Sequence, residues 1–470
     1  MIKKAFFTNS VGILFSRILG FIRDLLTASV LGANIYSDIF FVAFKLPNLF
    51  RRIFGEGAFS QAFIPSFTHA KTKGRFSYEI LIRLLGVVTL ISLSITLFSG
   101  VITSIIAYGF DEEIRKIAAP LVGINIWYLN FIFVVSFFAA LLQYKKHFAT
   151  TAFSTALLNL SLISALLLAQ GMQKLEIVYY LSYGVLIGGA LQLLSHLYAA
   201  QKYSLLKLLF VGYRQKRNTP TTNSESEHFY KGFFPAIFAS GASHLSAFLD
   251  TFLASFLVSG SISYLYFANR ILQLPLALFA IALSTALFPT IARAIKKGDL
   301  AHANRGLYKA TWTLLLFLAL STSGALILSE EIMMLLFEHG AFTHSDTLNS
   351  AKVLLMYMIG LLPFGLAKIF QLWHFSHHQQ KMVAKFTAIT LGFNIVLSLA
   401  LISPMGASGL ALASSLSGFV LFWLNFRAYL DNGGINPFTI KKVLLLIAIL
   451  TLFSWALWVS KNMLIKVFIS

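Results

Sequence analysis

The sequence predicts an all-α polytopic membrane protein. It has two six-helix lobes related by a pseudo-two-fold axis along the membrane normal, plus one extra C-terminal helix, giving about thirteen transmembrane helices. Three observations lead there. Apolar runs of roughly 20 residues recur from one end to the other, the length that crosses a hydrocarbon core of about 30 Å. Of 470 residues, 57% are hydrophobic and only 11% charged, with a mean hydropathy of +0.78; a soluble domain carries about 25% charged residues. The cations also partition to one side of the bilayer. A β-barrel would instead show alternating segments of about ten residues.

The apolar segments lie near 5–31, 36–69, 79–108, 117–143, 148–170, 176–200, 229–258, 261–292, 307–337, 348–376, 381–402, 406–430 and 438–460. With the N-terminus in the cytoplasm, alternation puts 23 Lys and Arg on the cytoplasmic side and 6 on the outer side. This asymmetry predicts N-in, C-out. Most of the net charge of +20 is therefore topology, and no nucleic-acid partner is implied. The first segment carries Arg17, Arg23 and Asp24 and lacks a cleavage site, so it is read as a helix rather than a removable signal. The absence of cysteine excludes disulfides and thiol catalysis.

"YRQKRNTPTTNSESEHF" (213–229) is polar and without apolar periodicity, and is read as a cytoplasmic linker. It separates an N-terminal lobe (1–212) from a C-terminal lobe (229–432), with the linker at 213–228 and the additional helix in 433–470. The halves resemble each other weakly: "DLLTASVLGA" (24–33) against "DTFLASFLVSG" (250–260), each followed by a proline, Pro47 or Pro275, and then "FIP" or "LFP". Six helices before the linker make such a repeat parallel, which implies a central cavity and rocking alternating access.

Charges within the apolar segments are the functional candidates, because each costs roughly 2.5–3.5 kcal/mol at mid-bilayer and so faces a partner or a cavity. In "SRILGFIRD", Arg17, Gly20 and Asp24 share a helix face, with Arg23 about 100° from Asp24. The pair Arg23–Asp24 is read either as a helix-holding ion pair or as part of a cavity. Segment 36–69 is about 51 Å long as a helix, too long for one span. Pro47, Gly55 and Gly57 predict breaks in it. Asp38 lies near its outer end, and Arg51 and Arg52 follow the first break. Arg51 is the candidate ligand residue. Arg52 and Glu56 are candidates for bracing a cytoplasmic gate, and Lys45 for pairing with a neighbour. "YFANRILQLP" places Arg270 before Pro275 as the second-half counterpart, while Lys368 either snorkels or faces inward. Asp250 is a candidate ion site. Arginine prefers bidentate oxyanions, so Arg17, Arg23, Arg51 and Arg270 point to an anionic, phosphate-bearing substrate between the lobes.

Nothing indicates an enzyme. There is no Walker A motif and no His-Glu-x-x-His, and "HFSHHQQ" (374–380) reads as a solvated turn rather than a metal site. No cofactor is expected. Transport would draw on Na+ or H+ coupling or on the membrane potential.

"SRILGFIRD", "SDIFFVAFKLPNLFRRIFGEGAFSQAFIP", "ASFLVSGSISYLYFANRILQLP" and "FEHGAFT" (337–343) resemble the MurJ (MviN) family of lipid II flippases, over roughly residues 5 to 430. The family belongs to the multidrug/oligosaccharidyl-lipid/polysaccharide exporter (MOP) superfamily. The resemblance implies inner-to-outer-leaflet transport of undecaprenyl-pyrophosphate-linked peptidoglycan precursor across the bacterial cytoplasmic membrane. Lipid II and membrane lipids are then partners, along with cell-wall synthesis and division proteins. It places substrate-binding roles on Arg17, Arg23, Asp38, Arg51 and Arg270. Gate or support roles fall on Ser16, Asp24, Pro47, Asn48, Arg52, Glu56 and Gln273. The sequence departs from the family in three places. Gln273 and Asn269 stand where acids flank the second-lobe arginine, which removes a Glu–Arg gating pair. Asp250 and Asn394 match part of a sodium site found in some members, but Ser398 stands where a second acid is expected. The thirteenth helix would lack the fourteenth that completes a tail groove. The alternative readings are a flippase for another polyprenyl-linked oligosaccharide, a cation-coupled drug antiporter of the same superfamily, and a non-transporting scaffold for cell-wall enzymes.

Overall fold

The computed structural model describes residues 2–53, 59–218, 224–242 and 245–469. Regular structure among the described residues is helical throughout. Nine stretches of it are long and apolar enough to cross a membrane. Contacts group the chain into two compact units, Met1–Ser259 and Gly260–Ser470. The first unit thus holds two helices that the sequence repeat assigns to the second lobe.

The first unit runs through α1 (Ile2–Leu31), α2 (Ile35–Ala43), α3 (Lys45–Ile53), α4 (Phe59–His69), α5 (Lys73–Leu97), α6 (Ser99–Ile106) and α7 (Glu112–Asn125). It continues with α8 (Tyr128–Tyr144), α9 (Ala149–Leu168), α10 (Lys174–Lys202), α11 (Leu205–Asn218), α12 (Ser224–Ala242) and α13 (Leu245–Ala254). The overlong segment 36–69 is thus three helices. A capping box opens α2: Tyr36 N donates to Asn34 Oδ1 at 3.0 Å, and Asn34 N donates to Ser37 Oγ at 2.8 Å. The first break falls at Phe44, because Pro47 has no N–H to give the Ala43 carbonyl. The second expected break, at Gly55 and Gly57, lies outside the described residues, as does Glu56.

The core of this unit is α8, hydrophobic all round and buried on most of its faces. Phe133 and Phe137 meet Phe59 edge-on or tilted at 5.9 and 6.2 Å, and Phe59 meets Phe229 and Phe233 of α12 at 5.9 Å each. Small residues let other helices approach closely. A Cβ on Gly188 of α10 would lie 2.8 Å from Leu158 Cδ1 of α9. The polar linker is shorter than the sequence suggests. Residues 213–218 finish α11 and 224–228 open α12. α11 crosses α5 so tightly that a Cβ on Gly212 would lie 2.0 Å from the Gly74 carbonyl oxygen. Its polar face hid this helix from a reading based on apolar runs.

The second unit holds α14 (Ser261–Pro275), a π-helical turn (Leu276–Ile281), α15 (Ala282–Lys296), α16 (Leu300–Phe337), α17 (His344–Ile359), α18 (Leu361–Ser376), α19 (Gln380–Asp431) and α20 (Ile440–Ile469). The π turn follows Pro275, where the missing N–H disturbs the α ladder. The two segments expected at 381–402 and 406–430 are two helices within α19 that meet at a kink at Gly406, whose φ 57, ψ −134 suits glycine alone, with Pro404 beside it. "FEHGAFT" is the corner that docks α14. Phe267 meets Phe337 at 5.1 Å and Phe342 at 5.7 Å, Thr343 caps α17, and Tyr264 OH donates to Asp346 Oδ1 at 3.0 Å. In "HFSHHQQ", His374 is buried rather than solvated and bonds Gln379 and the Asn425 carbonyl at 3.0 Å each. The extra helix α20 is tied to α16 by Lys461, 2.7 Å from Glu331.

Candidate functional site

In α1 the structure builds a compact polar network. Arg23 donates to Asp24 Oδ1 through Nη2 at 2.6 Å and Nε at 3.1 Å, and to Asn159 Oδ1 of α9 through Nη1 at 3.0 Å. Asn159 Nδ2 donates in turn to the Ser16 carbonyl at 3.0 Å. The two charged side chains are 12% and 3% exposed, so the pair is neutralised inside the bundle. Both oxygens and nitrogens of Asn159 were invisible to a reading that weighed only charges. The signal available was an amide in an otherwise apolar segment. Gly20 admits it: a Cβ there would sit 3.3 Å from Asn159 Nδ2. Arg17, one turn earlier, is exposed.

In α3, Arg51 is held by its own helix. Nε and Nη2 donate to Asn48 Oδ1 at 3.1 and 3.0 Å. A neutral amide orients the guanidinium without cancelling its charge. Arg51 also lies within electrostatic reach of buried Tyr128, whose OH donates to Gln192 Oε1 at 2.9 Å. Asp38 is buried in the first turn of α2, where the helix N-terminus favours a carboxylate. Arg52 is half-buried.

Lys45 opens α3 and does find a neighbour. Its Nζ donates to Thr251 Oγ1 at 2.5 Å, within reach of the Asp250 charge next door. Lys45 and Asp250 interact electrostatically, while Asp250 Oδ1 is buried without a hydrogen-bond partner among the described residues. Asn394 is buried one turn before Ser398 in α19, without a carboxylate between them.

In α14, Arg270 Nη2 donates to Tyr266 OH at 2.7 Å, and the guanidinium lies over that ring at 4.9 Å. Gln273 is exposed and bonds Asn269 one turn back. Two amides thus flank this arginine where the resemblance expects acids. Lys368 is exposed on α18. Outside the spanning helices, burial and the nearby Lys202 push the His147 imidazole down from its ordinary value.

The fold is that of a polytopic transporter. It superposes on the inward-facing conformation of a multidrug resistance MATE transporter of the MOP superfamily with a TM-score of 0.69 over 91% of this chain and 98% of that one, at 11% identity. It superposes more fully on the lipid II flippase MurJ in an inward closed conformation: TM-score 0.77, 26% identity, 98% of this chain and 99% of that one. The family described as lipid II flippase MurJ matches residues 27–469. The probable lipid II flippase MurJ of Helicobacter pylori strain J99 is 48% identical over 411 residues, 86% of this chain and 89% of that protein. That of Vibrio cholerae is 33% identical over 449 residues, 92% of this chain and 83% of that protein. The chain belongs to the lipid II flippase MurJ family.

Proposed function

We propose that the protein flips lipid II from the inner to the outer leaflet of the bacterial cytoplasmic membrane, by alternating access through a cationic cavity. The observation that carries this reading is that a chain of this family keeps arginines with neutral hydrogen-bond partners inside its apolar helical segments. Arg51 is oriented by an amide and Arg270 by a phenol, while Arg17 is exposed. A guanidinium held by neutral groups keeps its charge for a pyrophosphate and can meet it with two parallel hydrogen bonds.

In this reading Arg17, Arg51 and Arg270 contact the head group. Arg23 joins them by exchanging Asp24 for the ligand, and Asp38 orients the sugar–peptide. Ser16, Asp24, Asn48, Pro47 and Gln273 support them, and Arg52 and Glu56 brace the cytoplasmic side. The N-terminus is cytoplasmic and the C-terminus periplasmic, as the 23-to-6 cation asymmetry supports. The energy source is Na+, H+ or the membrane potential. Cell-wall synthesis and division proteins are the partners that would receive the product.

The test is complementation in a flippase-depleted bacterium, scored together with outer-leaflet lipid II. Restored growth with restored outer-leaflet lipid II is the expected result. Growth without translocation would favour the scaffold reading. Failure of both, with normal membrane levels, would turn attention to a different polyprenyl-linked substrate.

A further inference from the structure

The polar end of α5 carries Lys73, Arg75, Glu79 and Arg83, after which no charge occurs up to Leu97. The polar start of α12 carries Glu225, Glu227 and Lys231, after which no charge occurs up to Ala242. Arg83 and Lys231 are thus the last charges of their helices before uncharged stretches. Both line one cleft of about 820 Å3, together with Tyr230, Phe234 and Pro235.

The wall of this cleft is ordered from behind. Glu79 is buried and accepts from Arg75 Nε at 2.9 Å, while Arg83 Nη2 stands farther off at 3.8 Å. Arg75 therefore takes most of the acid's charge. Arg83 also interacts with the Tyr230 hydroxyl and keeps 41% of its side chain accessible. Lys231 pairs with Glu227 at 2.9 Å, but both are more than half exposed. Such an exposed i,i+4 pair is worth only about 0.3–0.5 kcal/mol and gives way readily to a better anion. Among the residues that line the cleft, Arg83 and Lys231 against Glu227 leave one net positive charge. Toward the apolar ends of the same helices the cleft changes character: Phe234 is 52% exposed and Pro235 lies open beside it.

We propose that this cleft binds an anionic phospholipid of the surrounding membrane. Arg83, Lys231 and the Tyr230 hydroxyl hold the headgroup phosphate, and an acyl chain lies along Phe234. Basic pockets between spanning helices at the membrane surface have this chemistry. Two features distinguish a lipid from a free anion. The cationic residues sit at the boundary between charged and uncharged helix, where headgroups lie, and the cleft continues as an apolar surface.

Native mass spectrometry of the full-length protein tests this, with phosphatidylglycerol and phosphatidylcholine offered at equal concentration. The expected result is a retained phosphatidylglycerol on the wild type. Retention should fall about tenfold or more in the double variant Arg83→Gln/Lys231→Gln, the size of losing one charge-assisted contact. The charge-conserving variant Arg83→Lys/Lys231→Arg should keep the lipid, which guards against a loss caused by misfolding. A Lys116→Gln control, on α7 and outside the cleft, should behave as wild type. Equal retention of phosphatidylcholine, or unchanged retention in the double variant, overturns the proposal. So does full displacement by inorganic phosphate, which would make this a free-anion site. Preferential displacement by a polyprenyl pyrophosphate would make it a substrate site, and equally overturns it.

Discussion

The arginines of α1 and α14 make an instructive pair. Both lie in helices rich in apolar residues, and both were singled out by the cost of a charge there. Arg23 is held by a carboxylate and an amide that between them take up Nε, Nη1 and Nη2. Arg270 is held by the hydroxyl and ring of Tyr266, with Asn269 and Gln273 as its neighbours one residue before and three after. The first arrangement pairs the charge with a carboxylate and ties α1 to α9. The second sets the guanidinium on a phenol one turn back in its own helix. Two residues of the same type are thus oriented by different chemistry. The partners decide which: the carboxylate of Arg23 is the next residue, Asp24, and its amide, Asn159, is 136 residues away.

The largest effect should come from removing the arginines proposed to meet the head group. Arg270→Ala, and likewise Arg17→Ala, should lower lipid II translocation about 10- to 100-fold at unchanged membrane levels, as expected for losing a hydrogen bond to a charged group. Complementation scored with outer-leaflet labelling measures it. Full activity in both variants would break the comparison.

Next comes the cancelled pair. Asp24→Ala leaves Arg23 buried without its carboxylate. It should destabilise the protein by about 3–5 kcal/mol, read as a lower thermal midpoint in detergent and reduced membrane levels. If Asp24→Ala instead keeps normal stability and loses only transport, the α1 network is a ligand site after all.

A gentler probe converts one arrangement into the other. Asn269→Asp or Gln273→Glu would place an acid beside Arg270. Each should cut translocation by about 2- to 10-fold without loss of stability, because an exposed pair is worth about 0–1 kcal/mol while still competing with the substrate anion. Unchanged transport would mean that Arg270 does not meet the ligand. The smallest effect concerns Asn159. Asn159→Ala should cost about 1 kcal/mol of stability through its two lost bonds, net of relaxation, measurable as a shift in thermal midpoint.

Much of the fold was legible because its signal is long-range in sequence and simple in kind. Apolar runs of bilayer length announced the spans, and Pro47, Pro275 and the polar stretch after residue 213 announced interruptions. What failed to show was amphipathic or neutral. α11 read as linker because its outer face is basic, although Leu205 and Gly212 turn inward. Gly406 was legible: the sequence reads two segments around it, and the structure has two helices meeting there at a kink. At the site, cost alone found every arginine and Asp24. It could not assign them roles, because Asn159, Tyr266, Asn48 and Thr251 are uncharged and tolerable in many places. Lys45 was expected to pair with some neighbour, and Thr251 beside Asp250 is reachable only through the fold.

The π turn after Pro275 carries one consequence for the chain's numbering. A π turn accommodates one residue more than the α turn it replaces. The six residues Leu276–Ile281 therefore behave as an insertion absorbed without a loop. Everything from Ala282 onward is phased by about 100° relative to Arg270 compared with an unbroken α-helix. Deleting one residue within 276–281 should restore α geometry while leaving Ser284 and Ile291, both buried in this unit, on their packing face. The π turn thus takes up a surplus residue while the arginine before the proline and the packed face after it keep their relative orientation.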